Sequence, residues 1–290
     1  MGTGWGKIIA LVSAACYGIA MPLAKVAFGH GTNALTLMTL RYFILAIVLG
    51  VWLIASGNSF AMAPRTLAAS VAIGVTFVGT AGGALAAIVY MPVSLAVLVF
   101  YTYPTITLLA ECALERRRPH RVEVLAVALA LVGLLLTLQA SLDDLNFTGV
   151  GFALIASFSA ASALIISGHT LQRAGMRLVG FYSCAVAFAI CGVITSGLDA
   201  MSIPDTRIGL WLLAVVIVAF SVAVVTMFAS LQRIGPSRAA TLFCFEPVVG
   251  IFTAILLLGE RLEPQQWLGA ALVGVAILIA TKRQPDTKEL

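Results

Sequence analysis

The chain has 290 residues, 61% of them hydrophobic and only 10% charged, and its mean hydropathy is +1.07. Soluble globular domains carry about 25% charged residues, so this composition excludes that class and points to a polytopic membrane protein. The net charge of +5 is scattered over short connecting stretches, a pattern that suits membrane orientation and argues against nucleic-acid binding.

A bilayer-spanning helix needs about 20 apolar residues. Taken in order, the stretches 7–27, 33–56, 66–90, 92–114, 121–140, 147–172, 177–199, 207–231, 236–258 and 265–281 meet that requirement. The expected fold is therefore an all-α integral membrane protein with ten transmembrane helices. The first stretch follows Met1 without a small-residue cleavage site, so no removable signal peptide is expected. The connections are short and rich in turn formers, as in His30-Gly31-Thr32-Asn33, Ser141-Leu142-Asp143-Asp144 and Arg173-Ala174-Gly175. Residues 284–290 are polar and expected to be a disordered tail.

Lys7, Arg65, Arg116-Arg117-Arg118, Arg121, Arg173, Arg177, Arg233, Arg238, Lys282 and Arg283 fall at one set of helix ends. Asp143, Asp144, Asp199, Asp205, Glu260 and Glu263 fall at the other. The positive-inside rule makes the basic side cytoplasmic, and an even number of spans puts both termini there. Trp5 and Trp52 lie near one interface and Trp211 and Trp267 near the other, as an aromatic belt requires. Cys16, Cys112, Cys184, Cys191 and Cys244 sit inside apolar runs without a C-x-x-C pair, which argues against disulfides and zinc.

Polar and aromatic residues within the spans are the candidates for function, because ionisable groups at membrane depth are expensive. Tyr17 lies in the first span and Phe77 in the third. Arg41 lies about a third of the way into the second. Its guanidinium fork suits a substrate carboxylate, or it pairs with Glu246, snorkels, or braces loop carbonyls. Lys25 sits nearer a helix end, where snorkelling is the simpler reading. Gly79-x-x-x-Gly83 permits close helix approach or a hinge, and packing is the simpler reading. In the fourth span Phe100-Tyr101-Thr102-Tyr103-Pro104 places two tyrosines beside a proline that deprives the Phe100 carbonyl of its helical partner. Glu111 is close enough to Arg116–Arg118 to pair with them. Ser159, Ser162 and His169 share one helical face of the sixth span, where interhelical hydrogen bonding competes with ligand contact.

The ninth span holds Thr241 and then Phe243-Cys244-Phe245-Glu246-Pro247. Glu246 falls about ten residues into the helix, near the midplane at about 1.5 Å per residue. An acid there is a candidate proton carrier or a partner for a substrate amino group, and also a candidate structural acid bonded to a neighbouring helix. The candidate substrate-binding set is therefore Tyr17, Arg41, Phe77, Tyr101, Tyr103, Ser159, Ser162, Thr241 and Glu246, with Pro104 and Pro247 as gating kinks. No H-E-x-x-H, G-x-S-x-G, phosphate-cradling loop or paired intramembrane acid is present, so neither a catalytic set, a metal nor a cofactor is expected.

The two halves repeat each other. Ser13-Ala14-Ala15 returns as Ser159-Ala160-Ala161, Met91-Pro92 as Gly235-Pro236, Tyr103-Pro104 as Glu246-Pro247, and Glu115-Arg116-x-x-Pro119 as Glu260-Arg261-x-x-Pro264. The offsets stay between 143 and 146. Residues 1–140 and 147–283 thus read as two five-helix repeats. An odd number of spans per unit makes them inverted in the membrane, an arrangement of secondary transporters with substrate near the midplane.

These features resemble the drug/metabolite transporter superfamily, in its EamA-type ten-helix branch. The likeness is most specific in Leu231-Gln232-Arg233-Ile234-Gly235-Pro236, Phe245-Glu246-Pro247-Val248, Leu258-Gly259-Glu260-Arg261-Leu262 and Gln266-Trp267-Leu268-Gly269. The first half is looser, with Arg41-Tyr42-Phe43 and with Leu114-Glu115-Arg116 where the family usually has Gly-Glu-Arg. The resemblance implies a carrier for small metabolites, often amino acids moved outward across a bacterial inner membrane, without fixing the substrate; export of amino acids, aromatic or broad in specificity, is the main expectation. Its partners would be that small molecule and the lipid bilayer, with proton coupling an open option and a monomer or weak dimer as the assembly. Carriers of other organic anions or drugs fit the same residues. A membrane-embedded enzyme or a scaffold is the alternative from a different class.

Overall fold

The computed structural model describes residues 3–139, 145–258 and 263–281. Among them the chain is all-helical: α1 (Thr3–Phe28), α2 (Ala34–Ala55), α3 (Pro64–Tyr90), α4 (Val93–Phe100), α5 (Tyr103–Leu114), α6 (Arg121–Leu138), α7 (Phe147–Thr170), α8 (Met176–Gly197), α9 (Arg207–Ile234), α10 (Pro236–Phe243), α11 (Glu246–Leu258) and α12 (Pro264–Thr281). Helices are what an apolar chain must form in lipid, because only there does each segment satisfy its own N–H and C=O groups. Eight candidate membrane spans result: α1, α2, α3, the α4–α5 run, α6, α7, α8 and α9. The Glu260-Arg261 motif, the Asp143-Asp144 turn and the 284–290 tail lie outside the described residues.

Helix starts follow sequence chemistry. The Asn33 side chain accepts from Thr36 N–H at 2.8 Å, Asn146 from Thr148 N–H at 2.9 Å, and Thr206 from Gly209 N–H at 3.0 Å. Each side chain satisfies a donor that has no partner within its helix. At α6, Glu123 accepts from His120 N–H at 2.9 Å and also grips Arg117 at 2.8 Å. Those bonds, with Glu115 at 2.6 Å, push the Arg117 guanidinium pKa further above its ordinary range. Ile47, Val51, Val132, Phe158, Val193 and Val218 stand exposed along the helix flanks, and Trp5, Trp52, Trp211 and Trp267 are exposed near helix ends. An apolar flank ringed by tryptophans is a lipid-facing surface.

The two proline-containing stretches depart from the expected bent helices. Each is broken in two. α4 stops at Phe100 and α5 restarts at Tyr103; α10 stops at Phe243 and α11 restarts at Glu246. The tight turns are closed by Thr102 N–H to Val99 C=O and Phe245 N–H to Leu242 C=O, both 3.1 Å. Pro104 and Pro247 each stand second in the new helix, where a missing N–H costs nothing. Each proline therefore begins a helix instead of bending one.

The extensive packing joins α1 to α9, α3 to α7, α2 to α8 and α6 to α12. Small and hydroxylated residues line these seams, as expected where lipid supplies no hydrophobic drive between helices. Ser13 Oγ donates to the Ala223 carbonyl at 2.7 Å (α1–α9), Ser183 Oγ to Ser70 C=O at 3.0 Å (α3–α8), and the Thr39 and Thr195 hydroxyls meet at 2.9 Å (α2–α8). Gly79 and Gly83 serve packing: a Cβ on Gly79 would sit 2.6 Å from Ser159 Oγ, and one on Gly83 2.8 Å from the Phe152 carbonyl.

The described chain begins and ends at the same end of the bundle. Gly6 of α1 lies against Arg233, and Ile279 and Ala280 of α12 share a shallow cleft with Glu123 and Arg238. This is the basic end. Glu111 does not pair with the arginine run there, contrary to the expectation from spacing. Its carboxylate accepts the Ser237 N–H at 3.0 Å, at the start of α10, while Glu115 and Glu123 occupy Arg117.

Candidate functional site

The polar and aromatic residues of the spans gather into two clusters. The first is built on α1, α2, α3 and α9. Arg41 projects its guanidinium over the Phe220 ring at 4.2 Å and the Tyr42 ring at 5.0 Å, and its Nη2 reaches the Tyr42 hydroxyl at 3.3 Å. Tyr42 stacks nearly parallel on Phe77, with ring centres 6.2 Å apart, and Phe77 stacks on Phe228 at the same separation. Tyr17 meets Phe220 edge-on at 5.9 Å. The Nε–H of Arg41 is buried and has no hydrogen-bond partner. Cation–π contacts of this kind are worth about 2 kcal/mol when desolvated, yet they leave guanidinium donors free.

The second cluster lies at the paired helix breaks. Phe100, Tyr101 and Tyr103 form a triangle of rings with centres 5.2 to 5.6 Å apart. Tyr101 and Tyr103 are buried, at 3% and 4% exposure. The Tyr101 hydroxyl lies in the electrostatic neighbourhood of the Glu246 carboxylate, which opens α11. Tyr17 touches Phe220 of the first cluster, and its neighbour Gly18 packs on the Glu246 turn of the second, so α1 links the two clusters. No ion pair joins Arg41 to Glu246, and among the described residues the close ion pairs are those of Arg117. The option that the two neutralise each other is thus not realised.

α1 is held tightly against the Glu246 turn. A Cβ on Gly18 would fall 2.5 Å from the Glu246 carbonyl oxygen, 2.8 Å from Val249 Cβ and 3.0 Å from Gly250 N. Only glycine admits this approach, and it fixes Tyr17, one residue away, relative to Glu246.

Six of the nine sequence candidates sit in these clusters. Tyr17, Arg41, Phe77, Tyr101, Tyr103 and Glu246 form them. Ser159 is half-buried with its hydroxyl against Gly79, two residues from Phe77. Ser162 is half-buried one turn further along α7. Thr241 stands apart: its hydroxyl donates to Ser237 C=O at 3.1 Å within α10, and it lines the basic-end cleft with Val122, Glu123 and Ala126. His169 is exposed and bonds the Ile165 carbonyl at 2.9 Å, at the end of α7. Tyr42, Phe220 and Phe228 were not anticipated. The eight-residue spacing of the two phenylalanines, about two helical turns, is the signal that places them on one face. Among the described residues no trio of His, Cys, Asp or Glu is grouped to hold a metal, and all five cysteines are free.

An all-helical membrane bundle with two broken helices, and with an acid and tyrosines at the breaks, is the build of a solute carrier. The chain belongs to the EamA-like transporter family, whose profile matches it twice, over residues 4–139 and 147–282. It is therefore a multi-pass membrane protein of a transporter family, with a small molecule as its substrate. A protein of Escherichia coli (strain K12) named "Probable amino-acid metabolite efflux pump" is 32% identical over 202 residues, 65% of this chain and 67% of the relative. The "Threonine/homoserine exporter RhtA" of Salmonella typhimurium (strain SL1344) is 28% identical over 212 residues, 69% of this chain and 67% of the relative. A solved crystal structure at 16% identity overlays with a TM-score of 0.82, covering 95% of this chain and 97% of that one, which shows the fold alone.

Proposed function

We propose that this chain is a secondary exporter of amino acids or closely related metabolites, aromatic or broad in specificity. It would work by alternating access in a bacterial inner membrane, with its basic end and both termini cytoplasmic. One observation carries the reading. Arg41 and Glu246 are opposite in charge and form no ion pair; Tyr17 shares Phe220 with Arg41, and Gly18 beside it packs on the Glu246 turn. That arrangement complements a zwitterion. The carboxylate would meet the free guanidinium donors, the ammonium the Glu246 carboxylate, and the side chain the rings of Phe77, Tyr101 and Tyr103. Ser159 and Ser162 would supply hydroxyls from α7. The names of the efflux pump and of the threonine/homoserine exporter support the substrate class.

The packing supports ten spans in two inverted repeats, residues 1–140 and 147–283. If α1 matches α7, α3 matches α9, and the broken pairs match each other, then the α1–α9 seam is the counterpart of the α7–α3 seam. The α2–α8 and α6–α12 seams then map onto themselves. Rocking of one repeat against the other would move the breaks at Pro104 and Pro247 as gates. The acid is present in one repeat only, so any proton coupling through Glu246 is asymmetric.

Flux measured in liposomes holding only this protein tests the reading. Preloaded amino acids should leave faster than from empty liposomes, and unlabelled amino acids of the accepted class should compete. Equal efflux with and without the protein, across the full amino-acid set, refutes it.

A further inference from the structure

The basic end holds a contact that neither the substrate site nor the family assignment uses. Glu111, near the end of α5, directs its carboxylate at the start of α10. Oε2 accepts the Ser237 N–H at 3.0 Å, and Oε1 lies 3.5 Å from the position a Cβ on Gly235 would take. Gly235 has φ of +77°, Pro236 follows with no N–H, and Ser237 is thus the first free donor of the helix. A carboxylate at a helix N-terminus gains both a charge-assisted hydrogen bond and the favourable end of the helix dipole. The bond ties α5 of one half to α10 of the other across the place where the two broken segments meet.

Among the described residues the opposite end has no equivalent: α4, which corresponds to α10, starts after Pro92, and no carboxylate is seen on the first N–H groups of α4 as Glu111 is on Ser237. The positions that correspond to Glu111 at the repeat offsets are Ala254, Ile255, Leu256 and Leu257. Among the described residues α5 and α10 pack together at the basic end, whereas α4 and α11 form no comparable contact at the other.

We propose that Glu111 is a gate latch. It holds the basic end of the transporter closed, biases the resting protein toward the state open at the opposite end, and must be released for substrate to enter from the basic side. Glu111 touches no substrate; it positions α10. The proposal rests on the alternating-access reading above. Its test reads conformation without flux, so the two can fail separately.

Cys244, in the break after α10, is 1% exposed and serves as the reporter. Membrane vesicles of both orientations, containing the full chain, are treated with a membrane-impermeant maleimide. Labelling is mapped by mass spectrometry to tell Cys244 from Cys112. Glu111→Ala should raise Cys244 labelling from the basic face about tenfold, the equilibrium shift for one lost hydrogen bond to a charged group. Labelling from the opposite face should fall. Glu111→Gln keeps the side-chain shape and one acceptor oxygen, so it should shift labelling the same way by less. Wild-type labelling from both faces in both variants overturns the latch, and Glu111→Gln alone decides if Glu111→Ala does not fold.

Discussion

Replacing Gly18 with alanine sets two effects of opposite sign against each other. Alanine is the better helix former by about 1 kcal/mol in a helix interior, so α1 alone would gain. The new Cβ, however, would sit 2.5 Å from the Glu246 carbonyl oxygen, with Val249 Cβ at 2.8 Å and Gly250 N at 3.0 Å. A carbon rests about 3.3–3.6 Å from a carbonyl oxygen, so α1 and α11 must separate by roughly 1 Å at this point. Two of the three obstacles are backbone, which cannot rotate away. Overpacking of this kind costs about 1–3 kcal/mol, which outweighs the propensity gain. The displacement also moves Tyr17 away from Glu246, and a misplacement of about 1 Å at a working site can cost a hundredfold in rate. Gly82→Ala is the control, because a Cβ there meets nothing within 4 Å. Thermal unfolding in detergent and amino-acid efflux from liposomes are measured on both variants. Gly18→Ala should unfold at lower temperature than wild type and export slowly, while Gly82→Ala should match or exceed wild-type stability. Equal stability and equal efflux in the two variants would refute the close-approach argument.

Arg41→Lys keeps the charge but loses the planar fork. It should raise the KM for carboxylate-bearing substrates by about tenfold to a hundredfold, the worth of a hydrogen bond to a charged group; an unchanged KM removes Arg41 from the site. Tyr101→Phe preserves the ring triangle but deletes the hydroxyl facing Glu246, so efflux should weaken about tenfold with unfolding temperature nearly constant, as measured on the same liposomes and by melting. Glu246→Gln should abolish the pH dependence of efflux, and a pH profile identical to wild type would exclude Glu246 from coupling. Thr241→Val should leave the substrate KM unchanged, because its hydroxyl bonds within α10 at the basic end.

Much of the fold was legible because lipid allows a chain so few options. Apolar runs free of charge could only be helices, and their lengths set the spans. Pro104 and Pro247 announced irregular backbone, but not whether each helix bends or stops. That depended on Thr102 and Phe245 closing i→i−3 turns, a local choice the spacing does not carry. Tyr101 and Glu246 were visible as costly polar groups at depth. That the two share one electrostatic neighbourhood follows from how two distant segments pack. Arg41 was visible for the same reason, but its ring partners Phe220 and Phe228 looked like ordinary packing residues until α9 was placed. That the Thr241 hydroxyl is spent on the Ser237 carbonyl within α10 is a local bond that spacing along the chain does not reveal. Glu111 was misjudged because nearness to three arginines outweighed a partner 126 residues away.

Each extensive seam of the bundle, α1 with α9, α3 with α7, α2 with α8 and α6 with α12, joins a helix before residue 140 to one after residue 145. During synthesis the leading helices therefore enter the bilayer before their main partners exist. Ser13, Ser70 and Thr39, which end up bonded to late-made helices, must wait in lipid with provisional neighbours. Assembly is deferred until the ribosome has nearly finished. A truncated product should be a loose set of inserted helices that quality-control proteases can recognise, and two half-length chains should become stable only when made together in the same membrane.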